Sequence, residues 1–260
     1  MALFISSLNS GSNGNCYYVG NEREAVLIDA GISCRETEKR MGRLGLSLEA
    51  VKAIFVSHEH SDHIRGLVRL AKKYQLPVYI TPRTLNRAGL PPGWFPILPF
   101  RAYEPLQVGS LSVTAFPKRH DAADPHSFVV TGGDVRVGVF TDIGVACENV
   151  IEYFSQCHAA FLEANYEEAL LEGGRYPAFL KRRIRGGSGH LSNGQALDLF
   201  RACKPDYMSH LLLSHLSAEN NCPSLTRELF MPHAGSTEIV VASRSAETPV
   251  YAVGAAVPHF

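Results

Sequence analysis

Neither sign of charge is in excess in this 260-residue chain: 25 lysines and arginines stand against 25 aspartates and glutamates, and the pI is about 7.2. That balance excludes a global field able to attract a polyanion or an acidic membrane, so any nucleic-acid contact must be local. Long apolar runs are missing as well. No stretch can span a bilayer, and Met1 to Asn15 hold no basic segment followed by a sustained apolar core, so no membrane association and a cytoplasmic location are expected. The six cysteines, Cys16, Cys34, Cys147, Cys157, Cys203 and Cys222, form no Cys-x-x-Cys pair and read as buried or incidental thiols in a reducing compartment. There is no Gly-x-Ser-x-Gly elbow, and Cys16 has no neighbouring histidine, which weakens any nucleophilic-hydrolase reading. Internal repeats and low-complexity tracts are absent too. A chain of 28.5 kDa can bury a full core, and a single domain over 1–260 is expected.

What the chain does have is the run His58, Glu59, His60, Ser61, Asp62, His63, directly after the apolar stretch Val51 to Val56. It places imidazoles and a carboxylate, ligand types that zinc, manganese and iron accept, within one short loop. The construction recurs: Leu111 to Phe116 leads to His120, Val135 to Thr141 to Asp142, and Leu211 to Ser214 to His215. Each candidate lies at or just past a strand's carboxyl end, and side chains there gather in one crevice of an α/β sheet. Four segments thus bring seven candidate metal ligands to one cleft: His58, His60, Asp62, His63, His120, Asp142 and His215. With no cysteine among them, manganese or iron fits as well as zinc.

The rest of the pattern supplies the frame. Turn chemistry at Ser10 to Asn15 precedes strands at Cys16 to Val19 and Glu24 to Ile28; Ile32 to Leu44 reads as a helix and Ala50 to Val56 as a strand. Ile64, Leu67, Val68 and Ala71 recur at helical spacing. Val78 to Ile80 is a short strand, and Pro91 to Pro99, with Trp94, an irregular loop that either flanks the cleft or is a surface excursion. Strands follow at Leu111 to Phe116, Ser127 to Val130 and Val135 to Phe140, the last two joined by a Gly132-Gly133 turn. A helix at Cys147 to Phe154 leads to a strand at Ala159 to Leu162. The helix at Leu197 to Cys203 follows Ser192 and Gln195, which have capping-box spacing. Met208 to Ser214 and Glu238 to Ala242 read as strands around a helix at Pro223 to Met231, and the tail from Arg244 carries no pattern. Hairpins and crossovers in two successive halves predict an α/β (α+β) fold of mixed sheets with helices outside.

The histidine loop resembles the HxHxDH motif of the metallo-β-lactamase fold superfamily at His58, His60, Asp62 and His63, the single ligands downstream match in order, and Asp29 is similar to the family's structural aspartate. Within it, SGSNGN near the start, HDAADP at His120, TDIG at Asp142, GHLSN at His190 and SHLSAENN at His215 are similar to the YycJ (WalJ) proteins. The resemblance covers nearly the whole chain. It implies a four-layer αββα sandwich and two divalent ions, zinc or manganese, with iron as a further option. One ion would take His58, His60 and His120, the other Asp62, His63 and His215, with Asp142 bridging. It also implies a phosphodiesterase acting on DNA, a 5′ to 3′ exonuclease linked with DNA repair. The chain departs from many nuclease relatives in the interval from Asp142 to His215, only 73 residues long, where those carry a large inserted domain.

Two such ions can share a water, lower its pKa and hold both the attacking and the leaving oxygen of an in-line displacement. Asp62 and His190 are the expected catalytic residues. His190 would bind the scissile phosphate or protonate the leaving oxygen. Ser192 and Asn193, at the start of the capped helix, would offer amides to phosphate. Asn13 and Asn15 either offer amides to the metal cleft or a phosphate, or form a tight turn. Glu163 either orients a ligating histidine or is a surface carboxylate. Glu59 is expected to be solvated, and His126, His158, His210, His233 and His259 structural or exposed. The basic run Lys181, Arg182, Arg183 and Arg185 tracks a phosphate backbone or is a solvated face. Two alternatives stand beside the nuclease: a hydrolase of small phosphodiesters, thioesters or lactams on the same site, and a non-catalytic nucleic-acid- or partner-binding protein.

Overall fold

The computed structural model describes residues 1–254; His259 lies outside them. The first half opens as an antiparallel meander of β1 (Leu3–Asn9), β2 (Cys16–Gly20) and β3 (Ala25–Ile28), to which β4 (Val51–Phe55), β5 (Val78–Tyr79) and β6 (Ile97–Leu98) add in parallel. The second half repeats the plan. Strands β7 (Leu106–Val108), β8 (Leu111–Pro117), β9 (His126–Gly132) and β10 (Val135–Phe140) are antiparallel, and β11 (Ala159–Glu163), β12 (His210–Ser214) and β13 (Glu238–Val241) continue in parallel. Strand β14 (Tyr251–Val253) returns to pair with β1, which completes two sheets of seven strands.

The period of two along each strand sorts the side chains into layers. Val26 and Ile28 of β3, Val137 and Val139 of β10 and Leu212 of β12 fill the space between the sheets, while Leu27, Leu211 and Leu213 face outward. Helices α1 (Cys34–Arg43), α2 (Ser61–Ile64), α3 (Leu67–Tyr74) and α4 (Pro82–Ala88) belong to the first half, where Met41, Leu67 and Leu70 cover the outer face of the first sheet. Helices α5 (Glu148–Phe154), α6 (Glu168–Gly173), α7 (Ala178–Arg185), α8 (Asn193–Cys203) and α9 (Pro223–Phe230) follow, and Phe154, Phe200 and Phe230 cover the second sheet. Each such buried aromatic contributes roughly 1.5–3 kcal/mol. The layers are αββα, as expected. Among the described residues no helix is long and apolar enough to cross a membrane.

Where structure and sequence pattern part, the missing elements are short or closed by distant partners. Ile97–Leu98 forms edge strand β6 inside the stretch expected to be irregular, and Trp94 of that stretch lies under Lys72 of α3, 4.0 Å from its ring centroid. Strand β7 is three residues long, and α4, α6 and α7 are helices of two turns or so. The tail from Arg244 is not patternless in space: Thr248 and Ser7 exchange hydrogen bonds, Arg43 grips Glu247, and β14 closes the first sheet.

The histidine loop is welded to the first loop at Gly31. Gly31 N donates to Asn15 O at 2.8 Å, and Asn15 N donates to Asp62 O at 2.7 Å. A Cβ on Gly31 would lie 1.7 Å from the Asp62 carbonyl oxygen. Gly31→Ala therefore forces the loops apart and is expected to cost about 1–3 kcal/mol. A thermal melt should show a lowered Tm together with reduced metal content, and a wild-type Tm would mean that the weld is soft.

Candidate metal centre

His58, His60, His120, Asp142 and His215 follow strands, whereas Asp62 and His63 lie on α2. Asp29 after β3, Asp142 after β10 and His215 after β12 all adopt left-handed backbone, with φ of 62°, 55° and 58°. Such a conformation costs roughly 1–2 kcal/mol for a residue with a Cβ, and here it bends the chain at the sheets' carboxyl ends so that the side chains enter one cleft. The surroundings hold the bend at Asp142 from both sides. Lys118 Nζ donates to Thr141 O at 2.6 Å, and Ile143 N donates to Glu163 Oε2 at 2.7 Å.

The seven sequence candidates meet. His60 Nδ1 lies 3.1 Å from His58 Nε2 and 3.4 Å from His120 Nε2, which makes a trio of imidazole nitrogens. Beside it, Asp62 Oδ2 stands 3.5 Å from both His63 Nε2 and His215 Nε2. Asp142 lies between the trios, with Oδ1 3.7 Å from His120 Nε2 and Oδ2 3.1 Å from His63 Nε2. Within each of the overlapping sets His58–His60–His120, His58–His63–Asp142 and Asp62–His63–His215, the donor atoms are mutually within 4.8 Å. Two of these atoms, Asp142 Oδ2 and His215 Nε2, are buried with no hydrogen bond of good geometry, the first facing His63 Nε2 at 3.1 Å and the second Asp62 Oδ2 at 3.5 Å. A buried cluster of imidazoles and carboxylates that meets its own hydrogen-bonding needs this poorly fits divalent cations.

Supporting contacts fix which nitrogen each ring offers. Asp29, fully buried, takes Ser57 N and Ser57 Oγ at 2.8 Å and His63 Nδ1 at 2.7 Å. His120 Nδ1 faces Gly189 O at 3.0 Å. His215 N donates to Ser10 Oγ at 2.7 Å, and Asn165 Nδ2 to His215 O at 2.7 Å. Glu163 resolves to the interior: it is fully buried and accepts from His190 Nδ1 at 2.8 Å, His215 Nδ1 at 2.9 Å and two backbone amides.

Burial pushes His58 well below the ordinary imidazole range and His120 down to about 4, which leaves both neutral with lone pairs to give. Burial works the same way on His63 and His215, but the carboxylates outweigh it. Asp142, Asp29 and Asp62 hold His63 well above its usual range, and Asp142, Asp62 and Glu163 bring His215 up to about 10. Burial likewise opposes ionisation of Asp62 and Asp142, and the histidine charges overcome it. Without cations, protons on His63 and His215 balance the buried carboxylates; binding of divalent ions replaces those protons.

A β-lactamase superfamily domain profile matches residues 24–216. The chain belongs to the metallo-β-lactamase superfamily. It is 36% identical over 230 residues to exodeoxyribonuclease YycJ of Bacillus anthracis, covering 87% of each chain, and 28% identical to exodeoxyribonuclease WalJ of Streptococcus pneumoniae, covering 85% of this chain and 84% of that one. Among solved structures it superimposes on the metallo-β-lactamase fold protein YhfI of Bacillus subtilis with a TM-score of 0.74 at 17% identity, over 97% of this chain and all of the other. Zinc-bound PqqB of Methylobacterium extorquens gives 0.71 at 14% identity, over 95% and 99%.

On this metallo-β-lactamase frame, other sequence candidates fall in different places. His190 stands between His120 and His215, with ring centroids 5.2 and 5.3 Å away. Ser192 and Asn193 do not reach the cleft. Both are fully buried, and their groups are committed: Ser192 N to Gln195 Oε1, Ser192 Oγ to Gln195 N, Asn193 N to Tyr166 O, and the Asn193 amide to Glu167 and Asn221. The capping box takes Ser192 N and Gln195 N, and Tyr166 O takes Asn193 N. Asn13 is exposed and spends its amide on Arg244 O at 2.7 Å, so it braces a loop. Asn15 is buried and donates to Asp62 Oδ2 at 3.1 Å, so it orients a candidate ligand and has no surface for substrate.

Glu59 is not solvated: its Oε1 takes Ala123 N at 2.9 Å and pins the loop after His120, while Oε2 is buried. The basic run lies on α7 and is partly neutralised, by Arg183 on Asp121 at 2.5 Å and Arg185 on Glu172 at 3.1 Å. Lys118 was not anticipated. Nothing in sequence distinguishes its buried amine from the exposed Arg119 beside it.

Glu163→Gln retains the shape and puts an NH2 group where only acceptors are wanted, against either the two imidazole N–H groups or the two amides. A loss of about 10–100-fold in metal affinity or activity is expected, with metal titration by calorimetry as the check. Wild-type affinity and activity would mean that Glu163 does not orient these rings.

Proposed function

We propose that this chain is a single-domain, cytoplasmic, dinuclear metal-dependent phosphodiesterase that degrades DNA from the 5′ end. The observation that carries the reading is the convergence of the seven-residue cluster, whose donor atoms lie mutually within 4.8 Å in overlapping sets. The 36% identity to an exodeoxyribonuclease over most of both chains supports the choice of substrate. His58, His60 and His120 would hold one ion and Asp62, His63 and His215 the other, with Asp142 shared; zinc, manganese and iron all suit the donors. When bound, the pair supplies Lewis acidity at the phosphate and a lowered pKa for the attacking water.

The protein's own groups do the rest. Asp29 and Glu163 hold His63 and His215 through Nδ1, and Asn15 holds Asp62. His190 gives its Nδ1 to Glu163, so its Nε2 is the atom that can pass a proton to the leaving oxygen as the P–O bond breaks. The test compares metal-loaded protein on 5′-labelled DNA, bis(p-nitrophenyl) phosphate and a thioester. DNA hydrolysed from one end, and abolished by chelation, is the expected result. Preference for the small diester or the thioester would select the small-molecule hydrolase, and DNA binding without turnover on any of the three would select the non-catalytic reading.

A further inference from the structure

One buried chain of hydrogen bonds, carried by the loop between β1 and β2 and by β2 itself, ties the two halves of the fold together behind the metal centre. At one end His215 N donates to Ser10 Oγ at 2.7 Å, and Ser10 Oγ meets the Tyr17 hydroxyl at 2.7 Å. Tyr17 in turn donates to Asn15 Oδ1 at 3.1 Å. At the other end Asn15 Nδ2 lies 3.1 Å from Asp62 Oδ2 and 3.1 Å from His63 Nε2. Ser10, Asn15 and Tyr17 are all buried, and the Tyr17 ring stands between the sheets, its centroid 4.9 Å from that of Phe161 on β11. The chain thus runs from His215 of the second half to Asp62 and His63 of the first, and these three form one of the sets able to hold a cation.

Direction along this chain is fixed. Burial pushes the Tyr17 hydroxyl well above its ordinary range, so it keeps its proton at any ordinary pH. A phenol has one hydrogen to give, and Asn15 Oδ1 takes it, so the Ser10 hydroxyl donates to Tyr17 and accepts from His215 N. Asn15 Oδ1 also accepts Gly11 N at 3.0 Å. An amide whose oxygen is claimed by two donors cannot turn over, and its NH2 group has to face Asp62 and His63. Support for the other trio is separate: His58 Nδ1 lies 2.8 Å from Ser57 Oγ, and His120 Nδ1 3.0 Å from Gly189 O. Among the described residues, none of His58, His60 and His120 hydrogen-bonds to Ser10, Asn15 or Tyr17.

We propose that Tyr17 is a positioning residue for one ion of the pair: through Asn15 and Ser10 its hydroxyl sets the orientation of Asp62 and His63 and their spacing from His215, with no such hold on the His58–His60–His120 site. The proposal rests on the dinuclear reading and makes the two ions separable. The test is a stepwise titration of metal-free protein with cobalt(II), followed by calorimetry and visible absorption. It compares wild type, Tyr17→Phe, Ser10→Ala and the double variant, and the step that disappears in Asp62→Ala identifies the ion held by Asp62, His63 and His215.

Tyr17→Phe should weaken that step about tenfold, the lower end of the roughly 10–100-fold typical of groups behind a metal ligand, and alter its absorption band, while the other step keeps its wild-type affinity. Ser10→Ala should do the same. The double variant should lose no more than either single one, because a chain cut twice is no looser than a chain cut once. Equal weakening of both steps, wild-type affinity at both steps in the two variants, or losses that add in the double variant would each overturn the proposal. If Tyr17→Phe does not fold, Ser10→Ala decides by the same split between the steps. The two readings fail separately: a wild type that takes up a single cobalt refutes the dinuclear site and the role of Tyr17 with it, and one that takes up two, with both steps untouched in the variants, refutes the role of Tyr17 alone.

Discussion

Asp142→Ala is expected to lower kcat/KM on DNA at least roughly a thousandfold, about 4 kcal/mol of barrier. Asp142 is the one carboxylate that faces both imidazole groups, through Oδ1 towards His120 and Oδ2 towards His63. It is also among the charges that offset the burial of His63 and His215. Alanine there would remove the proposed shared ligand, and its Cβ leaves the strain of a φ of 55° in place. The variant should still show a cooperative thermal melt and carry less metal by elemental analysis. Wild-type turnover with a full metal complement would refute the bridging position.

His190→Ala separates chemistry from metal binding. Its ring lies beside His120 and His215 but hangs from Glu163 by Nδ1, and it is more exposed than those neighbours, at 18% of its side chain. Loss of a positioned proton donor typically costs about 10²–10⁴-fold, so turnover should fall by that range while metal content stays at the wild-type level. The decisive comparison is a substrate whose leaving group needs no proton. With bis(p-nitrophenyl) phosphate the deficit should shrink markedly relative to DNA, because p-nitrophenolate is a stable anion. An equal deficit on both substrates would assign His190 to binding, and no deficit would remove it from the site.

Much of this site is legible along the chain because its ligands interrupt apolar runs. His58, His120, Asp142 and His215 each come just after a strand-forming segment, and strand ends of one α/β frame converge whatever their separation in sequence. Supporting residues are harder to read. Glu163 is a carboxylate at the end of a strand like many others, and only the fold brings His190, His215, Ile143 and Leu191 to its two oxygens. Lys118 is hidden for the same reason, since its partner is a backbone carbonyl 23 residues away. Strand β14 and the Glu247 ion pair depend on partners more than 200 residues distant, which no local period encodes. The expectation at Ser192 failed for an instructive reason. A capping box is recognisable in sequence because its side chains serve two of the helix's own amides, here Ser192 N and Gln195 N, whereas the tie of Asn193 N to Tyr166 O appears only in the fold.

The central claim is that remote segments share a pair of cations, and an anomalous-difference map of crystals of protein purified without added ions tests it directly. The account predicts two separate peaks, one within reach of His58, His60 and His120 and one within reach of Asp62, His63 and His215, with Asp142 between them. A single peak, or ions bound elsewhere while this cluster stays paired through its own protons, would contradict it.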